Sequence, residues 1–363
     1  MKIIIVYASA GAGHASAATA VFNHFKKEFT SHQITIVDIL EYSNSFYKFV
    51  YSGGYSILVT HMPLLWGLLF YLTSNKRIAR LTNRIQSFIN RIFFIRFERF
   101  MISEQPDYII TTHFLPPGAV EHLKKKRKIA AKVITVITDF GVHPFWLNDC
   151  IDNYIVASEV TSRELAGMGI AENKIDVFGI PAKGEFYDNY DKSSLRAKIG
   201  LDNDVFTVLI STGSFGMGPI EDIVFALKGE MQILVVCANN KKLYKRLIAK
   251  NYPKVKIFAF INNIYELMAV SDLMITKPGG LTISELIAMR LVPVFISPIP
   301  GQETVNARVI VSQNAGFAAK NTEELKKLVI LLRDNPARIK EARDNMKDLI
   351  KPNPAISLSN VIR

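Results

Sequence analysis

The sequence predicts an α/β protein made of two Rossmann-like domains, and three observations predict it. Short apolar runs alternate with helical stretches along most of the 363 residues, the pattern of β-loop-α-loop-β units that build a parallel sheet. Gly-rich turns stand between strand and helix at Gly11-Ala12-Gly13, at Gly213-Ser214-Phe215-Gly216 and at Pro278-Gly279-Gly280. The length is that of two ordinary domains. Residues 1–183 are assigned to the first and 184–349 to the second, and the tail 350–363 is expected to cross back onto the first.

Composition narrows the class. Hydrophobic residues make up 49% and charged residues 21%, as in a globular protein. The mean hydropathy of +0.17 is high for a purely soluble enzyme. Cys150 and Cys237 stand alone in different regions, so neither a disulfide framework nor a metal cluster is indicated, and a reducing cytoplasm fits. The chain opens on a strand, from which no signal or transit peptide is expected. The net charge is +12, and it is clustered locally.

In order, residues 2–7 form a continuous apolar run that reads as a buried parallel strand. A small-residue loop ending at Gly13 and His14 follows, then a helix expected over 15–29 and a strand over 34–39. A dinucleotide-binding fold opens the same way, and Asp38 stands where a ribose carboxylate would. Against that reading, Ser16 occupies the third glycine position of the fingerprint. A His at a helix N-terminus has its imidazolium disfavoured by the dipole, so His14 is expected to be neutral. It either serves as a base or merely packs the first turn.

Residues 42–100 are unlike the rest. The run 57–72, ILVTHMPLLWGLLFYL with Trp66 within it, is shorter than the about 20 residues of a spanning helix. It reads as interfacial or core. Arg77, Arg80, Arg84 and Arg91 follow at steps of one helix face, with aromatic residues between them. That mixture suits an anionic membrane surface, with a solvated helix face as the alternative. No nucleic-acid module is recognisable, and nucleic acid is not expected as a partner.

Further along, strands are expected over 108–112, ending at His113, and 133–138, ending at Asp139, with the basic run KKKRK at 124–128 between them as a solvated loop or a second lipid-headgroup contact. Strand C-termini in open parallel sheets face the ligand crevice, so His14, His113 and Asp139 could converge there. Strands over 154–157 and 175–179 complete the first domain. In the second, the strand 205–211 enters the loop 212–219, whose amides, with the Ser214 hydroxyl, could hold a diphosphate. Strands over 233–238 and 255–260 follow. Asp202-Asn203-Asp204 resembles a metal-binding D-x-D but precedes its strand, so it reads as a turn. The histidines show no metal-ligand spacing, and neither metal nor cofactor is expected.

The stretch 272–306 carries the most chemistry. A strand over 272–276 runs into Pro278, Gly279 and Gly280, and a helix capped by Leu281 or Thr282 carries Glu285 one turn inside. The helix N-terminus suits an anion, and the Glu285 carboxylate could accept from both hydroxyls of a ribose. A strand over 292–296 leads to Gly301, Gln302, Glu303 and Asn306, whose polar side chains could read sugar hydroxyls. The same spacing also fits a βαβ unit whose Gly-Gly turn is only a turn.

KPGGLTISELIA at 277–288 and PIPGQETVNA at 298–307 resemble the donor-site signature of glycosyltransferase family 28, most closely its diacylglycerol glycosyltransferases. SAGAGHASAA at 9–18 resembles the family's cleft loop, and TDFGVHPFW at 138–146 its acceptor-side segment. The resemblance implies the GT-B arrangement, two Rossmann-like domains facing across a cleft. It implies that Glu285 holds the uridine ribose, that Gln302 and Glu303 meet the hexose, and that Phe260 and Ile261 border the uracil. It implies His14 first, or Asp139, as catalytic base, with Gly13, His113, His143 and Trp146 on the acceptor side. The implied reaction transfers glucose or galactose from a UDP-hexose to diacylglycerol with inversion, at the cytoplasmic face of an anionic membrane. The rivals are N-acetylglucosamine transfer to a lipid-linked peptidoglycan precursor, a UDP-sugar epimerase, a dinucleotide-dependent oxidoreductase and a non-catalytic membrane-binding module.

Overall fold

The computed structural model describes residues 1–75, 78, 82, 86, 89 and 92–362, the side chains of 55 and 56 excepted. Arg77, Arg80, Arg84 and Arg91 lie outside the described residues. Contacts divide the chain into two units, Met1–Gly184 with Ile299–Val305 and Lys351–Arg363, and Glu185–Pro298 with Asn306–Ile350.

The first unit holds a parallel sheet in the order β2-β1-β3-β4-β5-β6. Its strands are β1 (Lys2–Tyr7), β2 (Gln33–Asp38), β3 (Tyr108–Thr111), β4 (Lys132–Val136), β5 (Asn153–Val156) and β6 (Ile175–Val177). Ile3, Ile4, Ile5 and Val6 are all fully buried, because side chains alternate across a sheet covered on both faces. Ile4 and Val6 join a core with Phe94, Phe97, Met101, Leu115 and Leu123. Ile3 and Ile5 join another with Ala18, Val21 and Phe25 of the helix Ala12–Glu28 and with Leu358 and Ile362 of the tail helix Pro354–Ile362. Each such tail side chain is worth about 1.5–3 kcal/mol when fully buried.

The second unit holds a parallel sheet in the order β12-β11-β10-β7-β8-β9. Its strands are β7 (Thr207–Ser211), β8 (Gln232–Val236), β9 (Val255–Phe258), β10 (Leu273–Thr276), β11 (Val292–Phe295) and β12 (Phe317–Ala318). The buried Arg196 guanidinium donates to the carbonyls of Val270, Asp202 and Val205. That ties down the Asp202-Asn203-Asp204 turn.

Several local expectations are corrected. The first helix begins at Ala12, so Gly13 and His14 lie inside it; Gly11, with φ 134°, makes the break. The helix after β10 begins at Gly280 with Gly279 as its cap, earlier than the expected Leu281 or Thr282. Lys124 and Lys125 end the helix Leu115–Lys125 instead of standing in a loop, and the Lys124 ammonium bonds Asp152 at 2.6 Å.

The apolar run is two helices, Gly54–His61 and Pro63–Thr73. The helical stretch Ser45–His61 and Pro63–Thr73 meet at 113°. Pro63 causes the break, since a proline ring pushes the preceding residue out of the helical region, and Met62 has φ −131° and ψ 49°. Among the described residues no single helix is long and apolar enough to cross a membrane. Pro63–Thr73 is two-sided. Leu64, Leu68, Tyr71 and Leu72 are 83, 56, 53 and 47% exposed, whereas Gly67 is buried against Pro300. A Cβ on Gly67 would stand 2.7 Å from that of Pro300, and one on Gly301 2.7 Å from the Phe70 ring. These contacts place Ile299–Val305 in the first unit, whereas the sequence reading assigned it to the second domain.

Candidate active site

In the first sheet the order reverses at β1, which pairs with both β2 and β3. Ligands of open α/β sheets gather at such a switch point, outside the strand C-termini. His14 stands there, in the first turn of the helix that follows β1. Its Nδ1 lies 2.7 Å from the Thr112 carbonyl oxygen and 2.8 Å from Thr138 Oγ1. A carbonyl only accepts, so Nδ1 carries the proton and Nε2 holds the lone pair. Thr112 Oγ1 donates to the His14 carbonyl at 2.8 Å and braces the turn from the other side. Burial lowers the His14 pKa, and the Asp139 carboxylate opposes that shift. The arrangement is a neutral imidazole with a fixed tautomer and a carboxylate to support its protonated form, the requirements of a general base.

His113 and Trp146 back this group. The His113 ring meets His14 edge-on at 4.5 Å, and Trp146 lies 6.2 Å from it, centroid to centroid. Both are buried, at 2 and 3% exposure. His113 Nδ1 accepts from Leu115 N–H at 3.0 Å, and burial holds its pKa well below the ordinary 6.5. These two residues form the floor behind His14. His143 serves elsewhere. Its Nδ1 accepts from Phe145 N–H, and its Nε2 donates to the Phe70 carbonyl at 3.2 Å, so it ties the apolar helix to the loop after β4.

The rival ribose carboxylate is otherwise engaged. Asp38 accepts from Leu40 N–H at 3.0 Å and Ser9 N–H at 3.3 Å. It caps the turn Ile39–Tyr42, which weakens the dinucleotide reading.

In the second unit the order reverses at β7, flanked by β8 and β10. The turns after β7 and β10 therefore stand side by side, although more than 60 residues separate them. Gly213, Gly216 and Gly218 have φ of 82, 55 and 105°, conformations that favour glycine. A Cβ on Gly216 would stand 2.3 Å from the Cys237 carbonyl oxygen. Gly279 is different. Its φ of −68° suits any residue, and a Cβ would meet only Thr282 Oγ1, at 3.9 Å. The glycine there leaves space in front of the N-terminus of the helix Gly280–Met289, where unpaired N–H groups and the helix dipole suit an anion. Glu285 is half-buried in that helix. Phe260, just past β9, is 56% exposed, and Phe215 is 52% exposed; each ring is open to stacking.

The polar residues after β11 divide. Asn306 is fully buried, and its amide donates to the Pro278 carbonyl at 3.2 Å. It supports the Pro-Gly-Gly turn from behind, in place of the sugar contact expected of it. The Glu303 carboxylate accepts from Ile299 N–H at 2.6 Å and closes its own turn. Gln302 Oε1 accepts from the Trp66 indole at 3.0 Å. Trp66, expected at the membrane, thus directs its polar edge into the protein. Thr212 was absent from the expected site. Its hydroxyl is buried beside Gly213 with no hydrogen-bond partner among the described residues, a signal that required the fold. Among the described residues no group of three or more His, Cys, Asp or Glu is placed to hold a metal ion.

Two six-stranded parallel sheets with interleaved helices are the architecture of the GT-B glycosyltransferases; here a histidine stands at one switch point and glycine-rich turns at the other. The chain matches glycosyltransferase family 28 along most of its length. Its residues 14–182 match the family described as monogalactosyldiacylglycerol (MGDG) synthase, and 208–355 match the glycosyltransferase family 28 C-terminal domain. A processive diacylglycerol beta-glucosyltransferase of Bacillus cereus (strain AH187) is 28% identical over 372 residues, covering 99% of this chain and 93% of the relative. Solved structures share the fold. MurG of Acinetobacter baumannii superposes with a TM-score of 0.63 at 15% identity, covering 99% of this chain and 98% of its own. Anabaena Alr3699/HepE in complex with UDP gives 0.56 at 15% identity, with all of both chains covered.

Proposed function

We propose that this protein is an inverting hexosyltransferase that moves glucose or galactose from a UDP-hexose to the free hydroxyl of diacylglycerol, as a peripheral protein on the cytoplasmic face of a membrane. The observation that carries the chemistry is His14, with Nδ1 committed to Thr112 and a basic Nε2. In a single displacement, the acceptor hydroxyl oxygen attacks the anomeric carbon while its proton passes to Nε2. The bond from that carbon to the UDP oxygen breaks on the opposite face, so the configuration inverts. Asp139 stabilises the imidazolium that forms. A base of this kind contributes about 10²–10⁴-fold.

Negative charge grows on the departing diphosphate. The amides of the Gly213–Gly218 loop and the N-terminus of the helix Gly280–Met289 are suited to bind it, because fixed dipoles need no reorganisation as the charge develops. Glu285 takes the ribose hydroxyls, Phe260 and Ile261 border the uracil, and Gln302 reads the hexose. The relatives' activity on diacylglycerol supports the acceptor, and so does the exposed face Leu64, Leu68, Tyr71 and Leu72. No Asp, Glu, Lys or Arg interrupts residues 57–73. An apolar helix face followed in sequence by Arg77, Arg80, Arg84 and Arg91 suits shallow insertion into an anionic membrane.

The test is transfer of labelled sugar by the full chain on phosphatidylglycerol vesicles containing diacylglycerol. UDP-glucose, UDP-galactose and UDP-N-acetylglucosamine are compared as donors. Glycosyl-diacylglycerol should form from a UDP-hexose with inversion at the anomeric carbon. Transfer only from UDP-N-acetylglucosamine, and only to a lipid-linked peptidoglycan precursor, would overturn the proposal.

A further inference from the structure

The apolar helix Pro63–Thr73 has an inner side that is more specific than packing requires. Trp66 could have buried its ring against any apolar surface. Instead its Nε1–H donates to Gln302 Oε1 at 3.0 Å. The same side meets the turn before Gln302 twice more, Gly67 against Pro300 and Phe70 against Gly301, and both glycines are too close to their neighbours to carry a Cβ. Gly301 also has φ 99°, so the turn holds a conformation that few other residues would tolerate. Behind the helix, His143 holds the Phe70 carbonyl. The turn and the helix therefore form one packed piece, with Gln302 at its edge.

We propose that Trp66 is a positioning residue for Gln302, and through it a determinant of how the donor hexose is held. An indole N–H only donates. Gln302 must therefore present its carbonyl oxygen to Trp66, which settles the orientation of an amide that could otherwise turn over. Its NH₂ group is directed away from the indole, as a donor to oxygen. On the proposed reading it donates to a sugar hydroxyl or ring oxygen, so the discrimination concerns the hexose and not the nucleotide. Glu303, whose carboxylate is held by Ile299 N–H, completes the turn but leaves this donor role to Gln302. The inference rests on the proposed reading of Gln302 as a hexose contact, and the experiment separates the two.

Affinities for UDP and for the UDP-hexose that the enzyme transfers are measured by calorimetry on the full chain, with transfer kinetics alongside. Trp66→Phe keeps an aromatic ring but removes the N–H. It should leave UDP affinity unchanged, weaken UDP-hexose about tenfold, the scale of one hydrogen bond, and raise the KM for donor more than it lowers kcat. Gln302→Glu keeps an acceptor for the indole and removes the NH₂ donor. It should retain parent-like thermal stability while showing the same hexose-specific loss. If Gln302→Glu and Gln302→Ala both bind UDP-hexose and UDP in the parent ratio, Gln302 does not read the sugar, and the inference falls with that reading. If the Gln302 variants lose hexose affinity while Trp66→Phe keeps it, Gln302 reads the sugar unaided and the positioning role of Trp66 is overturned.

Discussion

Acid should weaken the hold of His143 on the helix Pro63–Thr73 and with it the stability of the first unit. The perturbed group is His143. Burial lowers its pKa from the ordinary 6.5 to about 4, and its bond to the Phe70 carbonyl only partly opposes that shift. The unfolded chain takes up this proton near 6.5, the folded chain only near 4. Between those values the unfolded state binds more protons, so stability rises with pH through the window and is lost as pH falls from about 6.5 to 4. A difference of about 2.5 units at 1.36 kcal/mol each is about 3 kcal/mol. The assay is urea denaturation at pH 7.5 and 4.5, followed by tryptophan fluorescence. The chain has 2 tryptophans, Trp66 and Trp146, and both lie in the first unit, so the signal reports that unit alone. His143→Gln removes the titration. The variant should lose about 2–3 kcal/mol less than the parent between the two pH values. A smaller pH dependence should persist in it, because burial also lowers the pKa values of His14 and His113. Parent and variant with equal losses would refute the reasoning.

Three further outcomes are expected. His14→Ala should reduce kcat by about 10²–10⁴-fold with UDP affinity nearly intact. In the parent, activity should fall as pH drops through a value below 6.5, since protonation of Nε2 removes the base and burial lowers the His14 pKa; full turnover by the variant would make His14 structural and Asp139 the next base to examine. Glu285→Ala should weaken UDP by about 1.5–3 kcal/mol, the range for hydrogen bonds to a charged group, and unchanged calorimetric affinity would remove the ribose assignment. Leu64→Glu with Leu68→Glu, two positions on the exposed face, should release the protein from anionic vesicles while sparing transfer to a short soluble diacylglycerol; undiminished sedimentation with vesicles would show that the membrane is met elsewhere.

The strands, both Gly-rich turns of the second unit and the Glu285 helix were legible in the sequence, because apolar periodicity and glycine placement are local properties. β1 shows this well: its continuous apolar run states that both faces are covered. The motifs at 9–18 and 277–307 carried the family. The tertiary structure decided what depends on partners distant in the chain. It set the turns after β7 and β10 side by side, which needs a strand order that periodicity does not contain. It turned Asn306 inward to the Pro278 carbonyl, committed Asp38 to its own turn, and assigned His143 to Phe70 and Trp66 to Gln302. Each of those is a polar group whose role is set by whichever hydrogen-bond partner the fold brings near it. A sequence displays the donors and acceptors, but only long-range packing determines which of them meet a partner, because the cost of burying a polar group unpaired is paid in the folded state alone.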